Sequence, residues 1–134
     1  MKANKILIIL LFLITVFNQK VFSQEDIDYE ADKIENPSFV GGEKAYKKFM
    51  KYNFEYPVQA LDKGIEEVVK ISFTIEEDGK ITNAKIVKDI GGGCGAEALR
   101  LVKEMPKWNP GKRNGKPVKV NYSMTFPFYI AEFY

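Results

Sequence analysis

Met105–Phe128, MPKWNPGKRNGKPVKVNYSMTFPF, decides the fold. In its second half Val118, Val120, Tyr122, Met124, Phe126 and Phe128 alternate with Lys119, Asn121, Ser123, Thr125 and Pro127. A period of two describes a strand with one buried and one wet face. The spacing predicts a final strand from Pro117 to Phe128, with the aromatic residues Tyr129, Phe133 and Tyr134 able to extend it. Pro127 has no backbone donor, which places this strand at a sheet edge rather than at the centre. Such an edge offers unpaired N–H and C=O groups to another chain.

Upstream, Val68–Glu77 and Lys80–Asp89 flank Asp78-Gly79, a pair suited to a two-residue type I′ hairpin turn. Closing the turn there sets Ile75 opposite Thr82, Phe73 opposite Ala84 and Ile71 opposite Ile86 on the core face. Thr74 then meets Asn83, and Ser72 meets Lys85, on the wet face. Gly91-Gly92-Gly93-Cys94-Gly95 leads into a helix over Ala96–Met105, ended by Pro106. Its apolar stripe is Ala98, Leu101, Val102 and Met105, with Glu97, Arg100, Lys103 and Glu104 outward. Asn114-Gly115 signals a further tight turn. Near the start, Gly41-Gly42 opens a helix with Tyr46, Phe49, Met50 and Asn53 on one side and Lys44, Lys47, Lys48 and Lys51 on the other. Pro57 suits the first turn of a short helix over Val58–Lys63, which Gly64 can terminate. The helix between the second and third long strands needs a neighbour to cross, so the first strand is central. The expected fold is α+β: a three-stranded antiparallel sheet, order 2-1-3, with helices on one face.

The 134 residues suffice for one domain, and 46% hydrophobic with 28% charged residues is an ordinary globular composition. Lys2 and Lys5 precede the short apolar run Ile6–Phe17, and Val21-Phe22-Ser23 ends in a small residue. The pattern reads as a signal peptide over 1–23, the alternative being an inner-membrane anchor formed by residues 6–22. Removing 1–23 changes the net charge from +2 to −1, which gives no reason to expect nucleic acid as a partner. Residues 24–36 carry Glu25, Asp26, Asp28, Glu30, Asp32 and Glu35 against one lysine, and read as a solvated, flexible leader to a domain over 37–134. With no histidine and Cys94 alone, histidine-based catalysis or metal binding and an internal disulfide are excluded. Cys94 reads as a buried thiol.

Gly91–Ala96 matches a GxGxxA dinucleotide pattern, but an antiparallel hairpin precedes it and the chain is too short for a doubly wound sheet. A sharp strand-to-helix turn accounts for the glycines. Glu66-Glu67 and Glu76-Glu77-Asp78 fall at strand ends, where solvated acids are ordinary. Lys107, Lys112, Arg113, Lys116 and Lys119, with Trp108 and Tyr122 nearby, loosely resemble a nucleic-acid patch. A solvated hairpin, or one that attracts an acidic peptide, fits an exported chain better. No enzyme, cofactor or metal site is expected.

Tyr56-Pro57, Ala60, Gly64, the 68–94 run VVKISFTIEEDGKITNAKIVKDIGGGC and the 97–128 run EALRLVKEMPKWNPGKRNGKPVKVNYSMTFPF together resemble the C-terminal domain of TonB. The GGGC turn and the MPKWxPGxxxGKPV run are most similar to the Bacteroidetes-type version, over about Phe39–Phe128. The resemblance implies a periplasmic module that captures the TonB box of outer-membrane transporters by β-strand addition, serving energy-coupled transport. Carried onto this sequence, it implies peptide contact along Val118, Lys119, Val120, Asn121, Tyr122, Ser123, Met124 and Thr125, with Asn53, Phe54, Glu55 and Tyr56 beside them. Lys119, Asn121, Ser123 and Thr125 would tune which box is accepted. The other reading is an envelope structural or signalling adaptor, including self-association through the last strand. Two departures stand out. The family's full transducers carry a histidine-containing membrane helix and a long proline-rich linker, and this chain shows neither. Gly95 stands where an acid often caps the helix, so a weaker helix start is expected.

Overall fold

The computed structural model describes residues 31–132. The expected signal peptide, residues 24–30 of the acidic stretch, and Phe133 and Tyr134 lie outside them.

The elements are β1 (Ile34–Glu35), α1 (Gly42–Asn53), α2 (Val58–Asp62), β2 (Glu67–Ile75), β3 (Ile81–Lys88), α3 (Cys94–Glu104), β4 (Gly111–Arg113), β5 (Lys116–Val118) and β6 (Val120–Phe128). A 3₁₀ turn over Ile130–Glu132 follows β6. The main sheet is antiparallel with order β3-β2-β6, the 2-1-3 arrangement expected from the crossover. The pleat of β2 sends Val69, Ile71, Phe73 and Ile75 into the core. Phe126 and Phe128 of β6 join them, with Ala98, Leu101 and Val102 of α3 covering that face. Full burial of each large side chain contributes about 1.5–3 kcal/mol, so β6 is anchored chiefly at its C-terminal half.

The hairpin turn differs from expectation. Gly79 N–H donates to Glu76 O at 2.9 Å, and Glu76 N–H donates to Lys80 O at 2.9 Å. Only Gly79 takes positive φ (+84°), whereas a type I′ turn needs it at Asp78 as well. The loop is therefore a type I turn closed by a glycine bulge. The reason is distant in sequence: Trp108 N–H donates to Gly79 O at 2.9 Å, and a Cβ at Gly79 would sit 1.9 Å from Trp108 O. The register shifts with the turn. Ile75 pairs with Ile81 and Thr74 with Thr82, while Ser72–Lys85 and Ile71–Ile86 stand as expected. Asn83 and Ala84 together oppose Phe73, a bulge in which Asn83 adopts φ +52°.

A second sheet, order β1-β4-β5, was not foreseen. Asn114 (φ +52°) and Gly115 (φ +78°) form the β4–β5 turn with positive φ at both central positions, the type I′ signature. Asn114 also donates to Asp32 Oδ1 at 2.9 Å and accepts from Lys33 N–H at 2.9 Å, drawing β1 onto β4. The end of the acidic stretch, expected as a spacer, thus supplies a strand. The single final strand expected over 117–128 is two: Val118 belongs to β5, Lys119 to neither, and Val120 starts β6. Side-chain alternation runs through this break, so it could not reveal a change of partner strand.

Helix α3 begins at Cys94, two residues before expectation, after Gly93 turns the chain at φ +88°. Asp89 Oδ1 accepts from Ile90, Gly91 and Gly95 N–H groups at 2.7, 3.0 and 3.0 Å. The acid missing at position 95 is thus replaced by one six residues upstream. A side chain at 95 would collide with it, since a Cβ there lies 2.3 Å from the Asp89 carboxylate. Cys94 is fully buried, and burial, then the Asp89 charge, pushes its thiol pKa up.

Candidate functional site: the open edge of β6

All nine residues of β6 pair in unbroken register with β2, from Glu67–Phe128 to Ile75–Val120. Its other edge pairs with no strand among the described residues. Lys119, Asn121, Ser123 and Thr125 are exposed, as expected. Tyr122 and Met124 face the helical side and pack on the core. Tyr122 meets Trp108 and Phe73 with ring centroids at 5.4 and 5.7 Å. Trp108 is 5% exposed, which removes it from any nucleic-acid surface. Three of the five basic residues beside it are taken up locally: Lys107 reaches Asp78 at 3.7 Å, Lys119 reaches Glu76 at 3.4 Å, and Arg113 binds Asp32.

The predicted second segment is divided. Phe54 packs on Phe128 at 5.1 Å and, together with Thr125 and Pro127, lines a groove of about 800 Å³. The other walls are Tyr46, Lys47, Met50 and Lys51 of α1. Glu55 and Tyr56 instead line a separate depression with Pro57, Val58, Glu97 and Arg100. Phe54 thus lines the groove with β6, and Tyr56 meets Phe128 of β6 edge-on with ring centroids at 5.6 Å. Tyr46, Phe49 and Met50 of α1 pack against the core as partly buried residues. No residue of this helix is fully buried, and that incomplete cover leaves Tyr46 and Met50 available to the groove. Burial pushes the Tyr46 hydroxyl pKa up, so that side chain stays neutral between the two lysines.

What holds Asn53–Glu55 in place was also missed. Glu97, expected to face solvent, is 9% exposed. Its Oε1 accepts from Glu55 N–H at 2.8 Å and from Arg100 Nη2 at 2.7 Å, while Oε2 accepts from Arg100 Nε at 2.8 Å. Arg100 Nη2 in turn donates to Asn53 O at 2.6 Å. Glu97, then burial and Glu104, act on the guanidinium, and the net effect is a pKa pushed further up. This bidentate pair bolts the end of α1 to α3 across more than forty residues of sequence. A glutamate three residues before an arginine on a helix gives no sign of burial. Only the turn at Tyr56-Pro57 returns the chain over it.

Among the described residues no group of three or more His, Cys, Asp or Glu side chains could hold a metal ion. No described helix is long and apolar enough to cross a membrane.

A half-covered antiparallel sheet whose β6 edge is unpaired among the described residues, with a groove beside it, defines a small α+β domain. Residues 52–130 match the family model described as the Gram-negative bacterial TonB protein C-terminal, and the chain belongs to that family. Two solution structures of the Helicobacter pylori TonB C-terminal domain are similar to it, each at 26% identity. The first covers 64% of this chain and 90% of that one, with a TM-score of 0.47. The second covers 62% and 77%, with a TM-score of 0.42. None of the curated proteins compared with the chain matches it.

Proposed function

We propose that this chain is a periplasmic peptide-binding domain that engages TonB-box segments of outer-membrane transporters by adding them as a strand to β6. The carrying observation is the nine-residue edge, straight in register with β2 and unpaired on its far side among the described residues. Pro127 sets which backbone groups serve. In an antiparallel pair alternate residues turn both N–H and C=O away from the partner strand. A proline is tolerated where its missing donor faces outward, and Pro127 lies opposite Val68. Asn121, Ser123 and Thr125 share its parity and become the outward donors and acceptors. The side chains agree: Thr74 Oγ1 donates to Asn121 Oδ1 at 3.1 Å, a contact favoured in the closer, outward-turned kind of pair.

Amide exchange of the exported protein, with and without box peptides from transporters of the same bacterium, tests the reading. Protection gained at Asn121, Ser123 and Thr125, with Tyr122, Met124 and Phe126 already protected in the free protein, is the expected result. No saturable change on β6 rejects it. The same edge also accepts a second copy of this chain, and sedimentation at increasing concentration separates self-pairing from peptide capture. Export rests on the 1–23 segment. Sequencing the mature N-terminus reads it directly, and retention of Met1 would replace the exported protein by an anchored one.

A further inference from the structure

The four lysines of α1 crowd onto one face of the helix. At about 100° per residue, Lys44, Lys47, Lys48 and Lys51 fall within an arc of about 100°, and Tyr52 stands about 40° beyond Lys48. Ala45, Tyr46, Phe49 and Met50 turn the other way and pack on the core, so the basic arc faces water. Its members repel one another. Lys44–Lys47, Lys44–Lys48, Lys47–Lys51 and Lys48–Lys51 are all like-charge neighbours at i,i+3 or i,i+4, and each such pair weakens a helix. Glu43 is the one acid of α1, and its bond to Lys47 at 2.7 Å joins two exposed side chains. Lys44, Lys48 and Lys51 hold no carboxylate among the described residues. Helix α3 shows the opposite arrangement, with Arg100 bonded at 2.7 Å to both Glu97 and Glu104. Beside the lysines of α1, Tyr52 is 73% exposed.

We propose that this face of α1 seats the domain on an anionic lipid surface. A fluid array of phosphates relieves all four repulsions together, since each ammonium on its flexible stem finds a headgroup of its own. A fixed carboxylate partner would instead favour the planar fork of arginine, which the helix lacks. Tyr52 has an apolar ring and a polar tip, the combination that settles at headgroup depth. The face runs about 12 Å from Lys44 to Tyr52, enough to span neighbouring headgroups. Lys44, Lys48 and Tyr52 are not among the walls of the groove that Lys47 and Lys51 border. The contact goes beyond strand addition at β6 and does not depend on it.

The exported protein is mixed with vesicles of phosphatidylcholine and phosphatidylglycerol, and with vesicles of phosphatidylcholine alone, at rising salt. Binding to the anionic vesicles only, weakening as salt rises, is the expected result. Each lysine removed should lower it about fivefold, so Lys44→Gln/Lys48→Gln should lose about 25-fold. That variant relieves repulsion within α1 and should melt no lower than the wild type, which circular dichroism checks. Tyr52→Ala should weaken binding by the same factor at every salt concentration. Lys80→Gln/Lys103→Gln removes the same charge from other exposed positions and should leave binding almost unchanged. An equal loss there would assign the attraction to net charge and overturn the proposal. So would equal binding to both kinds of vesicle. Capture of a soluble glutamate-rich peptide, with neither vesicle bound, would give the face to an acidic protein and overturn it too.

Discussion

The main sheet ends in two strands, and they meet solvent differently. On β3 the register with β2 shifts twice, at Val87 and at Asn83–Ala84. Its solvent side carries Lys85 and Lys88, and Lys88 is tied back to Glu67. Bulges and lysines are the devices that stop an edge from recruiting another strand. On β6 there is no bulge in nine residues, and the groove runs beside it. One sheet thus carries an edge broken by two bulges and one whose only such device is Pro127 near its end. The uninterrupted edge is the one beside the helix whose cover is incomplete.

The contrast can be broken first at its anchors. Phe126 is fully buried whereas Ile86 of β3 is 38% exposed. Phe126→Ala is expected to cost about 3–5 kcal/mol and Ile86→Ala under about 1 kcal/mol. Equal losses in chemical denaturation would mean that the two edges are held alike. A proline at Ser123 attacks the smooth edge without touching the ladder to β2, because the donor it deletes faces outward. Peptide affinity should fall by about 2 kcal/mol, roughly 30-fold, with one backbone bond lost and the peptide's carbonyl left unpaired. Lys85→Ala, an exposed change on β3, should leave affinity unchanged. If Ser123→Pro unfolds the protein, as Tyr122→Pro should, the parity assigned from Pro127 is reversed.

Sequence alone reached the order of the long strands because alternation in β2 and β6 and the crossover through α3 are local or near-local constraints. It missed what distant contacts decide. Asp78-Gly79 suits more than one turn, and the choice was made by Trp108 docking its backbone on Gly79. Alternation from Val118 to Phe128 fixes faces but not partners, so the passage from β5 to β6 at Lys119 left no trace. The edge half of the candidate site was legible for the same reason as the strand itself. The groove half was not, since Lys47 and Lys51 face solvent on α1 whether or not another wall stands opposite.

Glu97 tests whether that groove half depends on the bolt behind it. Glu97→Ala leaves Glu55 N–H and Arg100 Nε without an acceptor, while Arg100 keeps Glu104 and Asn53 O, and should cost about 1–2 kcal/mol of stability. Affinity should fall as well, because Asn53–Glu55 is released and Phe54 loses its fixed place over Phe128. Glu97→Gln keeps one oxygen for Glu55 N–H and should restore most of both. Loss of stability without loss of affinity would show that the groove does not need Phe54 held.

Acid distinguishes the two edges last and least. On the β2–β3 turn, the hydrogen bond from Thr82, opposed by slight desolvation and aided by Lys119, keeps the Glu76 carboxyl below its usual range. The Lys80 N–H, at 2.9 Å, does the same for Asp78. A carboxyl whose pKa is lower folded than unfolded stabilises the fold fully above the unfolded value. That contribution fades as pH falls through the folded one. Both losses therefore lie below about pH 4.5, near and under the unfolded carboxyl values. Amide exchange between pH 5 and 3 should show β3 and its turn opening ahead of the C-terminal half of β6, where Phe126 and Phe128 carry no charge to lose. Glu76→Gln with Asp78→Asn should flatten the response at β3. If β6 opened first, the uninterrupted edge would also be the weaker one, and its stiffness could not be what prepares it for a partner.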